Sequence, residues 1–155
     1  MRSILKRIAL VFFVLLILAQ VFPGERPEVI MENPNDIHQE IVIETGVSTL
    51  LRAACYDCHS NETLYPWYVN VVPVSWLVIH DINEARGELN FSNWKDYSPK
   101  KKHHKLEEIA EEVSEREMPL EVYTITHQDA KLSEAQISLI VKWAQSEMEN
   151  ISLPN

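Results

Sequence analysis

The chain opens on an apolar block and then settles into short amphipathic segments. From Ile8 to Phe22 every residue is apolar except Gln20. Counted from Ile4, the block is about nineteen residues, near the length that crosses a bilayer at about 1.5 Å per residue. Arg2, Lys6 and Arg7 precede it, and Pro23-Gly24 stops it. A basic flank ahead of such a run reads as an export signal. Ile17-Leu18-Ala19 imitates the small-x-small cleavage site poorly. The pattern therefore predicts an uncleaved signal anchor, a single transmembrane helix over residues 1–23. Release to the periplasm after cleavage is the alternative. The positive-inside rule puts the basic end in the cytoplasm and the chain after Pro23 outside. The expected location is the cytoplasmic membrane of a bacterium, single-pass, with the domain on the periplasmic side.

Residues 24–36 contain prolines and asparagines and read as a tether. Residues 37–150, about 115 in number, are typical of one domain. Its pattern predicts an all-α fold. Ser48 is expected to cap a helix carrying Leu50, Leu51, Ala53 and Ala54. Ile41-Val42-Ile43 suits either strand or helix. A loop is expected over Ser60–Val72. Pro73 fits the first turn of a helix to about Arg86, with Gly87 as its stop. Val74, Leu77, Val78, Ile82 and Ala85 fall on one face of it. Ser98-Pro99 opens the next helix, with Leu106, Ile109, Ala110 and Val113 at helical spacing. Ser133 and Gln136 form a capping box ahead of Ile137, Ile140, Val141 and Trp143.

Charge and composition narrow the function. The net charge is −9, and residues 8–155 alone carry −12. Such a chain is a poor nucleic-acid ligand. An acidic surface suits a basic redox partner. The three glycines lie far apart, so no phosphate-cradling loop is present.

Cys55-Tyr56-Asp57-Cys58-His59 contains both cysteines of the chain. C-x-x-C-H is the attachment signature of c-type haem. Two thiols add to the two vinyl groups, and the adjacent histidine is held under the iron as its proximal ligand. A redox dithiol belongs to a strand–helix unit not evident here. A zinc site needs two further ligands, and adjacent His103-His104 diverge by about 100° on a helix. The expected cofactor is one covalent haem c.

The sixth iron position decides the chemistry. Methionine there suits electron transfer, and a vacant place admits small ligands. Met118-Pro119, in a loop between two helices, is the leading candidate. Met1 is assigned to the cytoplasmic end, Met31 to the tether and Met148 to the frayed last helix. His80 and His127 are the alternatives, while His38, His103 and His104 read as solvent-facing. The rings of Tyr65, Trp67, Tyr68, Trp76, Trp94, Tyr97, Tyr123 and Trp143 supply apolar surface for a porphyrin or for an ordinary core.

The blocks Cys55–Thr63, Tyr65-Pro66-Trp67-Tyr68, Pro73-Val74-Ser75-Trp76-Leu77 and Leu89–Trp94 resemble the bacterial haem-binding domain family of cytochrome c type. Met118-Pro119-Leu120, Tyr123, His127, Ala130, Leu132-Ser133 and Trp143-Ala144 extend the likeness, which spans about Ile37 to Glu147. It implies a helical fold around one haem, similar to class I cytochromes c. Cys55 and Cys58 would be the attachment points, with His59 proximal and Met118 distal. The likeness implies no named reaction. The Trp-rich helix and loop between His59 and Met118 depart from a plain carrier, and would cover the haem edge or shape a ligand pocket. A monohaem electron carrier, not an enzyme, is the leading expectation. A haem enzyme or sensor with a displaceable sixth position is the alternative.

Overall fold

A computed structural model describes residues 2–152 of the chain. Seven α-helices and no strands occur among the described residues. They are α1 Arg2–Ala19, α2 Thr45–Ala54, α3 Tyr56–His59, α4 Val74–Glu88, α5 Pro99–Glu115, α6 Glu121–Thr126 and α7 Glu134–Asn150. The all-α expectation holds.

The expected membrane span does not. No helix among the described residues is long and apolar enough to cross a membrane. The physical reason lies in α1 itself. Arg2, Lys6 and Arg7 are inside its first turns, and it ends at Ala19. The uncharged part, Ile8–Ala19, reaches about 18 Å at about 1.5 Å per residue, well short of the roughly 30 Å hydrocarbon layer. The expectation of a single-pass anchor in the cytoplasmic membrane, carrying a periplasmic domain, is overturned with it. Met1 lies outside the described residues.

The chain after α1 runs along the domain. The Gln20 side-chain amide pairs twice with the backbone of Val72: its Nε2 donates to Val72 O and its Oε1 accepts from Val72 N, at 3.0 Å each. Trp76 Nε1 donates to Phe22 O at 2.6 Å. Gly24 has φ +87°, and a Cβ there would stand 3.1 Å from Ile79 Cδ1, so this turn favours glycine. Ile30 N donates to Asn61 O at 2.8 Å, and Tyr65 Oη to Pro27 O at 2.8 Å. Residues 24–36, read from the sequence as a tether, therefore lie in hydrogen-bonded contact with the domain.

The core gathers α2, α5, α7 and two short 3-10 helices, Ile37–Gln39 and Phe91–Asp96. Helices α5 and α7 pack side by side, with Leu106 and Ile140 both fully buried. Burial of each such side chain stabilises by about 1.5–3 kcal/mol. Trp94 and Phe91 are also fully buried, and Phe91 stacks on Tyr56 at 5.2 Å. Ser98 caps α5, and Ser133 with Gln136 closes the expected capping box of α7. Helix α2 begins three residues before Ser48, after Glu44. The Ser48 hydroxyl meets His38 Nε2 at 2.8 Å instead.

Helix α4 departs most from its pattern. Its buried residues are Ser75, Ile79 and Ile82, whereas Val74 and Leu77 are exposed. Gly87 sits inside its last turn, and Leu89 ends it. Of the five stripe positions only Ile82 is fully buried, and Val74, Leu77, Val78 and Ile82 line a cavity that residues of the preceding loop also line.

Candidate functional site

A cavity of about 500 Å³ brings together Cys55, Cys58, His59 and Met118. Helix α2 ends at Ala54, and Cys55 takes φ −125°, breaking the helix before α3 resumes at Tyr56. The kink places Cys55, Cys58 and His59 on the same cavity wall. Met118 arrives by another route. Arg116 adopts the left-handed conformation at φ 65° and turns the chain after α5. The amides of Glu117 and Met118 then both donate to Glu112 O, at 3.0 and 3.2 Å. These bonds satisfy a helix-end carbonyl and hold Met118 close to α5. Apolar side chains of Phe91, Ile109, Val113 and Leu120 complete the lining.

His59 is oriented by α4. Its Nδ1 donates to Ala85 O and Leu89 O, at 3.2 Å each. Carbonyl oxygens only accept, so Nδ1 carries the proton and Nε2 keeps its lone pair. Burial holds the imidazole below its ordinary pKa, against the pull of these two carbonyls. The ring is therefore neutral at pH 7 and ready to ligate without losing a proton.

Both cysteines are free thiols. Burial pushes Cys55 up to about 12, helped by Cys58. Burial, with Asp57 and Asp81 nearby, pushes Cys58 up to about 11. Neither resembles an activated redox thiol, which needs a lowered pKa. No group of three or more His, Cys, Asp or Glu suited to a metal ion occurs among the described residues.

A family model described as the haem-binding domain matches residues 14–146. The chain belongs to the haem-binding domain family. No curated protein and no solved structure matches it. Haem binding is thus the chemistry to fit to the cavity, and the donor set fits. A neutral imidazole nitrogen, a thioether and two thiols line one space with largely apolar walls, and ligand cavities run from about 300 to 1,000 Å³.

The other named residues fall elsewhere. His80 is exposed and pairs with Glu84 at 3.4 Å, outside the cavity lined by Cys55, Cys58 and His59. His127 stacks on Tyr123 at 4.0 Å and lines a neighbouring cavity. Met31 is exposed, and Met148 packs against the core. His38, read as solvent-facing, is half-buried instead. It lies between Asp36 and Ser48, with Tyr56 Oη 2.8 Å from its Nδ1. His103 is half-buried and His104 exposed. Among the aromatics, Trp94 and Trp143 belong to the core and Tyr123 reaches the cavity beside Cys58 and His59.

Three contributors were invisible in the sequence. The carbonyls of Ala85 and Leu89 carry no side-chain signal. Phe91 lines the cavity from a 3-10 helix too short to show a period. Asp81, Glu84, Glu88, Glu108 and Glu112 form an acidic rim from two helices, 20 to 31 residues apart in sequence. Within it, buried Lys105 bonds Glu108 at 2.5 Å and Glu88 at 3.5 Å.

Proposed function

We propose that the chain is a monohaem c-type cytochrome whose work is electron transfer. Cys55 and Cys58 would hold the porphyrin through thioether bonds, His59 Nε2 would ligate the iron, and Met118 would fill the sixth position. When bound, the haem supplies one-electron redox chemistry. The protein's part is to fix the ligands, exclude water and set the charge around the cavity. The observation that carries the reading is the His59 ring, proton-fixed on Nδ1 by α4, sharing one cavity with both thiols and the Met118 thioether. His80 and His127, the groups that a haem enzyme would use as acid or base, do not line that cavity. The acidic rim favours a redox partner protein with a basic face, since opposite potentials speed encounter.

Expression with a c-type haem maturation system tests this. Haem should stay with the polypeptide after denaturation and acid extraction. Met118→Ala should convert a low-spin spectrum to high spin. Haem that extracts freely would sink covalent attachment, and an unchanged spectrum in the variant would remove Met118 from the iron.

A further inference from the structure

The apolar stripe of α4 has no protein partner over much of its length. Val74, Leu77 and Val78 line a second cavity, of about 350 Å³. Val74 and Leu77 stay 39% and 51% exposed. Val122 of α6 contributes another wall, and Leu64 and Trp67 stand at the surface, 68% and 77% exposed. A concentration of uncovered apolar side chains around a concavity marks a binding site more often than scattered surface hydrophobes do. The volume is within the range of small-molecule sites.

The position and polarity of the cavity define its occupant. Cys58, Asp81, Leu120 and Tyr123 line both cavities, so the second one abuts the haem-attachment turn. The indole of Trp67 and the phenol of Tyr68 meet edge to face at 5.9 Å, offering flat surfaces for a ring. Asp57 is already engaged by Tyr123 and by the Leu64 amide. The Asp81 carboxyl, half-buried beside His80 and Glu84, accepts no side-chain hydrogen bond among the described residues. It is an acceptor without a donor, beside the apolar wall formed by Val74, Leu77, Val78 and Ile82.

We propose that this second cavity binds a small aromatic molecule bearing a hydroxyl, of the phenol or hydroquinone class. Its ring lies against Leu77, Val78 and Trp67, and its hydroxyl donates to the Asp81 carboxylate. The site rests on haem filling the neighbouring cavity, which completes the shared wall at Cys58.

Equilibrium dialysis of the haem-loaded full chain against 2-naphthol, and against its methyl ether, tests the assignment. One saturable site is expected, with the naphthol bound about tenfold more tightly because only it can donate to Asp81. Leu77→Trp fills the cavity and should weaken naphthol binding at least about tenfold while leaving the haem spectrum unchanged. Val122→Trp serves the same purpose from the opposite element should the first variant fail to fold. Absence of a saturable site, equal affinity for the two probes, or unweakened binding in the folded tryptophan variants overturns the proposal. Haem content is read from the same sample after denaturation. A chain lacking covalent haem counts against the proposed function, whereas a haem-loaded chain that ignores 2-naphthol counts against this site alone.

Discussion

Tyr123 Oη donates to Asp57 Oδ2 at 2.8 Å, joining two segments 66 residues apart. Asp57 lies inside the C-x-x-C-H turn, and Tyr123 lies on α6, directly after the Met118-Pro119 loop. One hydrogen bond thus ties the C-x-x-C-H turn to the segment that carries the sixth-ligand candidate. The carboxylate also accepts the Leu64 amide at 3.0 Å, so both of its oxygens are in use. Burial first, and then Asp57, raises the Tyr123 pKa, which keeps the phenol a donor across the physiological range.

Tyr123→Phe should remove this tie while keeping the ring. A hydrogen bond to a charged acceptor contributes about 1.5–3 kcal/mol, and the half-buried site places the loss near the lower figure. Urea unfolding measures it. In the haem-loaded variant, carbon monoxide should bind the ferrous form faster than in the parent, because the Met118 loop is less firmly held. Equal binding rates would show that Tyr123 does not steady that loop.

Before haem is attached, the thiols should be sluggish. Cys58, at about 11, lies above the ordinary value of 9.0. Near pH 8 its thiolate fraction is roughly a hundredfold below that of an ordinary thiol. Iodoacetamide should accordingly modify the folded, haem-free chain much more slowly than the urea-unfolded chain. The sign for stability follows from the same shift. The unfolded chain sheds its thiol protons first, so haem-free stability is intact below about 9.0 and falls as pH rises towards about 11. A thermal midpoint that stays level across that interval contradicts the burial of the pair.

Tyr56, also inside the motif, anchors a different network. Its hydroxyl lies 3.0 and 3.1 Å from the Asp36 carboxylate oxygens and 2.8 Å from His38 Nδ1. Asp36 is almost fully buried. Tyr56→Phe keeps the stack on Phe91 but strips a buried carboxylate of a donor, at a cost of about 1–3 kcal/mol. Guanidinium unfolding of the parent and variant reads the difference. A loss below a few tenths of a kcal/mol would mean that water replaces the phenol without penalty.

The acidic rim predicts a charge preference. Reduction of the haem-loaded chain by a small cationic redox complex should slow as salt is added, and by an anionic complex of similar potential should quicken. Stopped-flow traces at low and physiological ionic strength make the comparison. Identical salt responses would argue that the five rim carboxylates do not control approach to the haem.

The candidate haem-binding residues were legible because Cys55, Cys58 and His59 share one short motif and Met118 stands before a proline between helices; the structure gathers the four along one cavity. The capping box of α7 was legible because Ser133 and Gln136 act over three residues. What escaped depends on contacts between distant segments. His38 looked free until Asp36, Ser48 and Tyr56 closed around it. The stripe of α4 showed correctly as apolar, but periodicity does not say whether a face meets side chains or open space. For α1, an apolar run broken only at Gln20 concealed how short the charge-free part of the helix is. The run extends past Ala19, whereas the helix does not.

The two bonds from His59 to the end of α4 give that ring a second consequence. If His59 Nε2 ligates iron as proposed, Nδ1 transmits that restraint to Ala85 and Leu89, and haem binding would oppose the fraying of α4. Haem capture should slow amide exchange at Leu89, whose own N–H donates to Ala85 O at 2.9 Å, although that amide lies well along the chain from the attachment turn. The same helix carries Val74, Leu77 and Val78 along the neighbouring cavity. On the proposed ligation, one helix would thus connect the ring that holds the iron with the wall of the second cavity.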